Sequence, residues 1–311
     1  MVAVDTHQHL WSESLWDALA VRTEAPYVRR AGRDGGWTLH LLAEPACAMP
    51  GPEDPRGRSD LLDHDGVDFA VVAPSTALGI EWLPRDAAEP IFAAQREGIA
   101  AAGDRFHRWG SISLVDPDPA DLQAELDAGA IGLCLPAGAL DGPGALDRLG
   151  PVLEHLGRAG APLFIHPGPS PADLQTCDQS RWSPEPFWWP GLTDYVSAMQ
   201  RSWLTWAARG RRDHPELRVL FAMLAGLAPL HAERLAARGA QRLAERAITD
   251  DFSWYETSSY GIVAQSAVAE MVGASRLVHG SDRPVVEGIL PSVITPANAR
   301  EHAHALLGKA A

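Results

Sequence analysis

Short apolar runs alternate along this chain with longer stretches whose apolar residues recur every three to four positions. The short runs, eight in number, occupy residues 2–5, 67–74, 106–114, 130–136, 162–166, 218–224, 254–258 and 276–280. These runs are short and mainly apolar, as expected of strands. The stretches at 86–103, 118–129, 144–160, 192–210, 229–247 and 263–273 have helical spacing, and several end at Gly, the residue that most readily takes the left-handed turn after a helix. Such alternation predicts a parallel sheet with crossover helices. Eight repeats, with no GxGxxG after the first run, predict an α/β fold of the closed (β/α)8 TIM-barrel type rather than a doubly wound dinucleotide fold.

Two connections are too long for plain βα loops. Residues 12–57 form an insertion after the first strand, in which Trp37 to Leu42 reads as a strand. Residues 167–190 follow the fifth strand and hold Trp182, Phe187, Trp188 and Trp189 among several prolines. Both belong over the C-terminal mouth of a barrel, where sites are built. The 311 residues suit one domain of this kind, spanning 1–311, with the 12–57 insertion over the mouth.

Charge narrows the partners. Lys+Arg total 26 against 40 Asp+Glu, a formal net charge of −14, the opposite of a nucleic-acid footprint. No stretch reaches the ~20 apolar residues of a membrane-spanning helix. The expected partner is therefore a small molecule, with neither nucleic acid nor membrane; a homodimer is also compatible. Cys47, Cys134 and Cys177 are widely spaced without a CxxC pair, which argues against a disulfide framework or thiolate zinc site and for a reducing cytoplasm. The first residues lack the basic and apolar regions of a signal peptide.

Asp5, Thr6, His7, Gln8, His9, Leu10 and Trp11 close the first predicted strand. Residues two apart on a strand share a face, so His7 and His9 aim two imidazoles at one point inside the barrel. His166 ends the fifth strand and Asp282 lies just past the eighth. Three nitrogens and one oxygen at one barrel face suit a single divalent ion, Zn²⁺ first, with Mn²⁺ and Fe²⁺ as alternatives. Arg283 is placed to hold a substrate carboxylate, Trp11 and Trp188 to stack on a planar substrate, and Glu256 and His279 to add polar groups to the pocket. His302 and His304, on a C-terminal helix, are expected in solvent.

The order of these motifs resembles the amidohydrolase superfamily, in the branch of amidohydrolase-2 proteins, aminocarboxymuconate-semialdehyde decarboxylases and sugar-lactone hydrolases. The matching elements are Asp5 to Trp11, Leu163 to Pro167, His214 to Val219 and His279 to Pro284. The resemblance implies that His7, His9, His166 and Asp282 bind one divalent metal, with His166 and Asp282 at the catalytic centre and Asp282 also handling a proton. It also exposes a departure. The family's sixth strand usually ends in a histidine that binds metal or activates water; Met223 stands there in this chain, and a thioether is no base. His231 lies eight residues on and is expected outside the site.

Three functions follow as expectations. The first is metal-dependent hydrolysis of an amide, ester or lactone in a small, anionic-compatible molecule. The second is metal-dependent non-oxidative decarboxylation of an unsaturated or aromatic acid. The third is a repurposed binding protein that lost ordinary hydrolysis when methionine replaced histidine.

Overall fold

The computed structural model describes residues 4–31, 36–176, 188–286 and 292–308. Eleven strands are present among them: β1 Val4–Gln8, β2 Tyr27–Ala31, β3 Gly36–His40, β4 Cys47–Met49, β5 Phe69–Val72, β6 Phe106–Gly110, β7 Ala130–Pro136, β8 Leu163–His166, β9 Val219–Phe221, β10 Ser253–Glu256 and β11 Leu277–Val278. Eight of them form one parallel sheet in the order β1, β5, β6, β7, β8, β9, β10, β11. The ends of this sheet meet. Thr6 N donates to His279 O at 2.9 Å, Asp282 N to His7 O at 2.9 Å and His9 N to Arg283 O at 2.6 Å, which closes the (β/α)8 barrel expected from the apolar pattern.

Sequence and wall chemistry agree most plainly at β7, where Ala-Ile-Gly-Leu-Cys-Leu-Pro is buried throughout, as a parallel strand sandwiched between barrel interior and helices must be. A Cβ on Gly132 would stand 2.2 Å from Pro162 O, so only glycine lets β8 approach there. Phe164, Trp109, Leu133, Leu135, Leu220 and Phe221 belong to the main buried cluster. Aspartates cap two of the helices: Asp118 accepts from Ala120 N ahead of Pro119–Asp127, and Asp54 from Arg56 N ahead of Pro55–Asp65.

The insertion is more structured than its sequence suggests. It contains the helix Glu13–Ala20, capped by Ser12, and an antiparallel sheet β2, β3, β4. Trp11, Trp16, Val28, Leu39 and Leu41 share a second apolar cluster with Leu78, Ile80 and Phe92 of the barrel's helical layer. The expected helix at 229–247 is broken. After β9 the chain runs through Met223, Leu224, Ala225, Gly226 and Leu227 in the left-handed region, with φ between 50° and 65°, and Gly239 interrupts the rest at φ 92°. No helix among the described residues is long and apolar enough to cross a membrane.

Candidate metal centre

The motif after β1 works because β1 ends inside the barrel. His7 lies in the strand and His9 just past it; both are buried, at 0% and 2% exposure. Asp5 fixes this turn: its Oδ1 accepts from His7 N at 3.1 Å and Ser281 N at 3.0 Å, and its Oδ2 from Gln8 Nε2 at 2.7 Å. Arg58 holds the other end of Gln8, donating to Oε1 at 2.5 Å, and pairs with Glu53 at 2.9 Å. The first strand is thereby stapled to the loop that carries Asp282.

Each imidazole is oriented by an acceptor behind it. His7 Nδ1 donates to Glu256 Oε2 at 3.1 Å, and His9 Nδ1 to Ala73 O at 3.1 Å. His166 Nδ1 faces Thr76 Oγ1 at 2.7 Å and Pro167 O at 2.9 Å, while Thr76 donates onward to Pro167 O. With Nδ1 committed as donor, Nε2 of each ring is a lone pair. His7 Nε2 and His9 Nε2 stand 3.2 Å apart, and Asp282 Oδ1 lies 3.4 Å from the first and 3.1 Å from the second. The His166 ring is 4.7 Å from that of His7 and 5.0 Å from that of His9, centre to centre. The four ligand atoms all lie within 4.8 Å of one another.

Such a cluster of inward lone pairs and a carboxylate repels itself unless a cation sits in it. Ligands bonded at about 2.0–2.2 Å stand roughly 3–4 Å apart, so the donor set fits one divalent ion. The electrostatics say the same. Burial pulls His7 down, but Asp282, Glu256 and Asp5 outweigh it and hold the imidazole up at about 9. Burial, and then the nearby His7 and His9, push His166 well below its ordinary value. The site demands positive charge at one ring and refuses it at another, a conflict that a shared metal ion removes.

Two glycines next to the cluster, Gly168 and Gly280, are steric requirements. A Cβ on Gly168 would meet Pro136 Cβ at 2.7 Å and Thr76 Oγ1 at 2.8 Å; one on Gly280 would strike Glu256 Oε1 at 2.3 Å. They let the His166 and Asp282 loops pass over the residues that orient the ligands. Asp282 itself takes φ 58°, a left-handed conformation uncommon outside glycine, asparagine and aspartate.

The other expected site residues are placed differently from one another. Glu256 is fully buried; beyond His7 it accepts from Met223 N at 3.2 Å and from Ser258 N and Oγ. Its carboxylate is therefore taken up behind His7 and does not line the pocket as expected from its strand. Arg283 pairs with Asp65 at 2.8 Å, so its charge is already answered. Trp11 is buried in the insertion's cluster, edge-on to Trp16 with ring centres 5.8 Å apart. His279 closes the barrel through its carbonyl, and its side chain is half-buried. The Trp188 side chain, like Trp182 and Phe187, lies outside the described residues. Met223 is buried at the end of β9, and His231 is exposed. His302 corrects an expectation: it is buried, with Nδ1 donating to Leu277 O at 2.8 Å, whereas His304 is exposed. Thr76, which meets His166 and Pro167, carries no local signal in the sequence, because its partners lie some 90 residues away.

No protein-family model matches the chain, and no curated protein matches it in sequence. Solved structures do. The IDCase of Metarhizium anisopliae in apo form superposes with a TM-score of 0.71 at 18% identity, covering 100% of this chain and 93% of that one. The 5-carboxyvanillate decarboxylase of Novosphingobium aromaticivorans, complexed with manganese and 4-hydroxy-3-methoxy-5-nitrobenzoic acid, gives 0.68 at 15%, covering 98% and 96%. A probable 2-pyrone-4,6-dicarboxylic acid hydrolase from Acinetobacter baumannii, with citric acid bound, gives 0.56 at 15%, covering 99% and 92%. The chain thus has the full-length barrel fold found in these decarboxylases and this hydrolase. That fold is consistent with the amidohydrolase resemblance of its motifs.

Proposed function

We propose that this chain is a divalent-metal enzyme of the amidohydrolase type that decarboxylates a small unsaturated or aromatic acid without oxidation. His7, His9, His166 and Asp282 would hold the ion, and the chain would work as one domain with the 12–57 insertion at its mouth. Zn²⁺, Mn²⁺ and Fe²⁺ all suit this donor set; the manganese in the 5-carboxyvanillate decarboxylase structure favours testing Mn²⁺ first.

The observation that carries the choice of reaction is at the end of β9. The position where a hydrolase of this kind would keep a water-activating histidine holds Met223, buried and with its backbone N–H turned to Glu256. Decarboxylation needs no activated water. A divalent ion held by His7, His9, His166 and Asp282 would supply Lewis acidity to the substrate. The carbon–carbon bond to the carboxylate would break, carbon dioxide would leave, and the electron pair left on carbon would take up a proton carried by Asp282.

Carbon dioxide release from a panel of aromatic and unsaturated acids by the Mn²⁺-loaded protein tests this reading. Gas release that stops in Asp282→Asn supports it. Turnover of lactones or esters without gas release would favour the hydrolytic reading, to which the likeness to the pyrone-dicarboxylate hydrolase gives some weight.

A further inference from the structure

Glu44 and Tyr195 come from elements far apart in the chain and meet at the barrel mouth. Tyr195 lies in the first turn of the helix Asp194–Thr205. That helix packs on the turn Ala137–Leu140 after β7, on β8, and on the segment Ala222–His231 after β9, so it crosses the C-terminal ends of three barrel strands. The contact is close: Gln200 Nε2 donates to Gly226 O at 2.8 Å, and a Cβ on Gly226 would stand 2.7 Å from Val196 O. Glu44 follows β3 of the insertion. Tyr195 donates its hydroxyl to Glu44 Oε1 at 2.6 Å, joining insertion to helix.

This pair is more than a latch. Both residues are half-buried. The helix that carries Tyr195 packs on β8 and on the segments that follow β7 and β9, so the pair lies at the same C-terminal face of the barrel as the metal ligands. Only one carboxyl oxygen of Glu44 is taken by Tyr195; the other receives no hydrogen bond among the described residues. Burial first, and then Asp194 and Asp173, raise Glu44 to about 7 despite the Tyr195 bond, and Cys47 is the other titratable group beside it. No arginine or lysine answers this carboxyl among the described residues. A charge-capable group kept half-buried, uncompensated and aligned by a neighbour marks a site that meets a ligand.

We propose that Glu44, aligned by Tyr195, is a specificity-determining acceptor of the metal site, taking an O–H hydrogen bond from the end of the substrate remote from the metal ligands. The inference rests on the metal-dependent reading above and narrows it to substrates that carry a hydroxyl as well as the reacting group. When ionised, the free oxygen accepts only from a donor, so it distinguishes a hydroxyl from its methyl ether. When protonated, it donates to either equally.

The test uses the full chain loaded with Mn²⁺ and titrated with the ortho, meta and para hydroxybenzoates and the matching methoxybenzoates. At about pH 8, at least one hydroxybenzoate binds about tenfold tighter than its ether, the worth of one hydrogen bond. At about pH 6 the gap narrows, because Glu44 has taken a proton. Glu44→Gln turns its amide nitrogen outward once Tyr195 holds the oxygen, and Tyr195→Phe loses the alignment. Both variants close the gap to about twofold or less while keeping metal content. A loaded wild-type protein with no gap, or a gap that survives in Glu44→Gln, overturns this inference alone. A wild-type protein that holds no metal overturns the functional reading, and this inference with it.

Discussion

Glu256 Oε2 lies 3.1 Å from His7 Nδ1, and the two residues are 249 positions apart in the chain. This one contact decides which nitrogen of His7 faces the barrel centre. It also ties the seventh barrel strand to the first at the level of the ligands.

Replacing that carboxylate by an amide keeps the volume and removes the charge. Glu256→Gln should weaken metal binding by roughly 10–100-fold, the usual effect of losing a ligand-orienting carboxylate. Competition against a chromogenic chelator measures it. Unchanged affinity would mean that His7 is oriented by something else.

His7 sets a pH dependence for the metal-free protein. Burial lowers it, but Asp282, Glu256 and Asp5 hold it at about 9, against 6.5 in the unfolded chain. The native state keeps a proton that the unfolded state has released. This stabilisation is full below 6.5 and disappears as pH rises through 9. Chelator-treated protein should therefore lose denaturant resistance across that window. The metal-loaded protein, in which His7 is a neutral ligand, should not, and His7→Gln should flatten the metal-free curve.

Glu81 gives an independent test away from the site. It is buried, with Oε1 accepting from Ser111 at 2.9 Å and Oε2 without a partner. Burial raises it to about 7 from 4.5. Its contribution is complete below 4.5 and is lost as pH climbs through 7. Glu81→Gln should accordingly stabilise the protein by roughly 1 kcal/mol above neutrality and by little at acid pH. Urea unfolding on both sides of neutrality checks the sign.

Met223→His probes the departure at β9. Met223 sits at φ 52°, a region histidine enters more readily than most residues, so the substitution should be tolerated. An imidazole there restores a base next to the ligands, and aryl-ester hydrolysis by the Mn²⁺-loaded variant should rise at least about tenfold. No gain would show that Met223 is not what suppresses hydrolysis.

The ligand set was legible because it depends only on strand ends. His7 and His9 sit two apart where an apolar run stops, and His166 and Asp282 sit where two other runs stop, so any parallel barrel brings them to one face. Strand β7 was readable to its boundaries, since a strand buried on both faces is apolar throughout. What was lost depended on long-range partners. Alternation could not tell that Glu256 turns to His7, nor that Arg283 finds Asp65. His302 is buried because the helix Pro296–Leu307 packs on β1 and β11, which bring Leu277 O within reach. The helix expected at 229–247 failed for a local reason: helical spacing persists across Gly239, but its φ of 92° does not continue a helix.

The central claim is that His7, His9, His166 and Asp282 form one metal site, and elemental analysis of the purified protein tests it most directly. The account predicts one equivalent of divalent transition metal per chain in the wild type and near-complete loss in a folded His166→Ala variant. A wild type that stays metal-free after incubation with Mn²⁺, Zn²⁺ and Fe²⁺, or a His166→Ala variant that keeps its full equivalent, would contradict it.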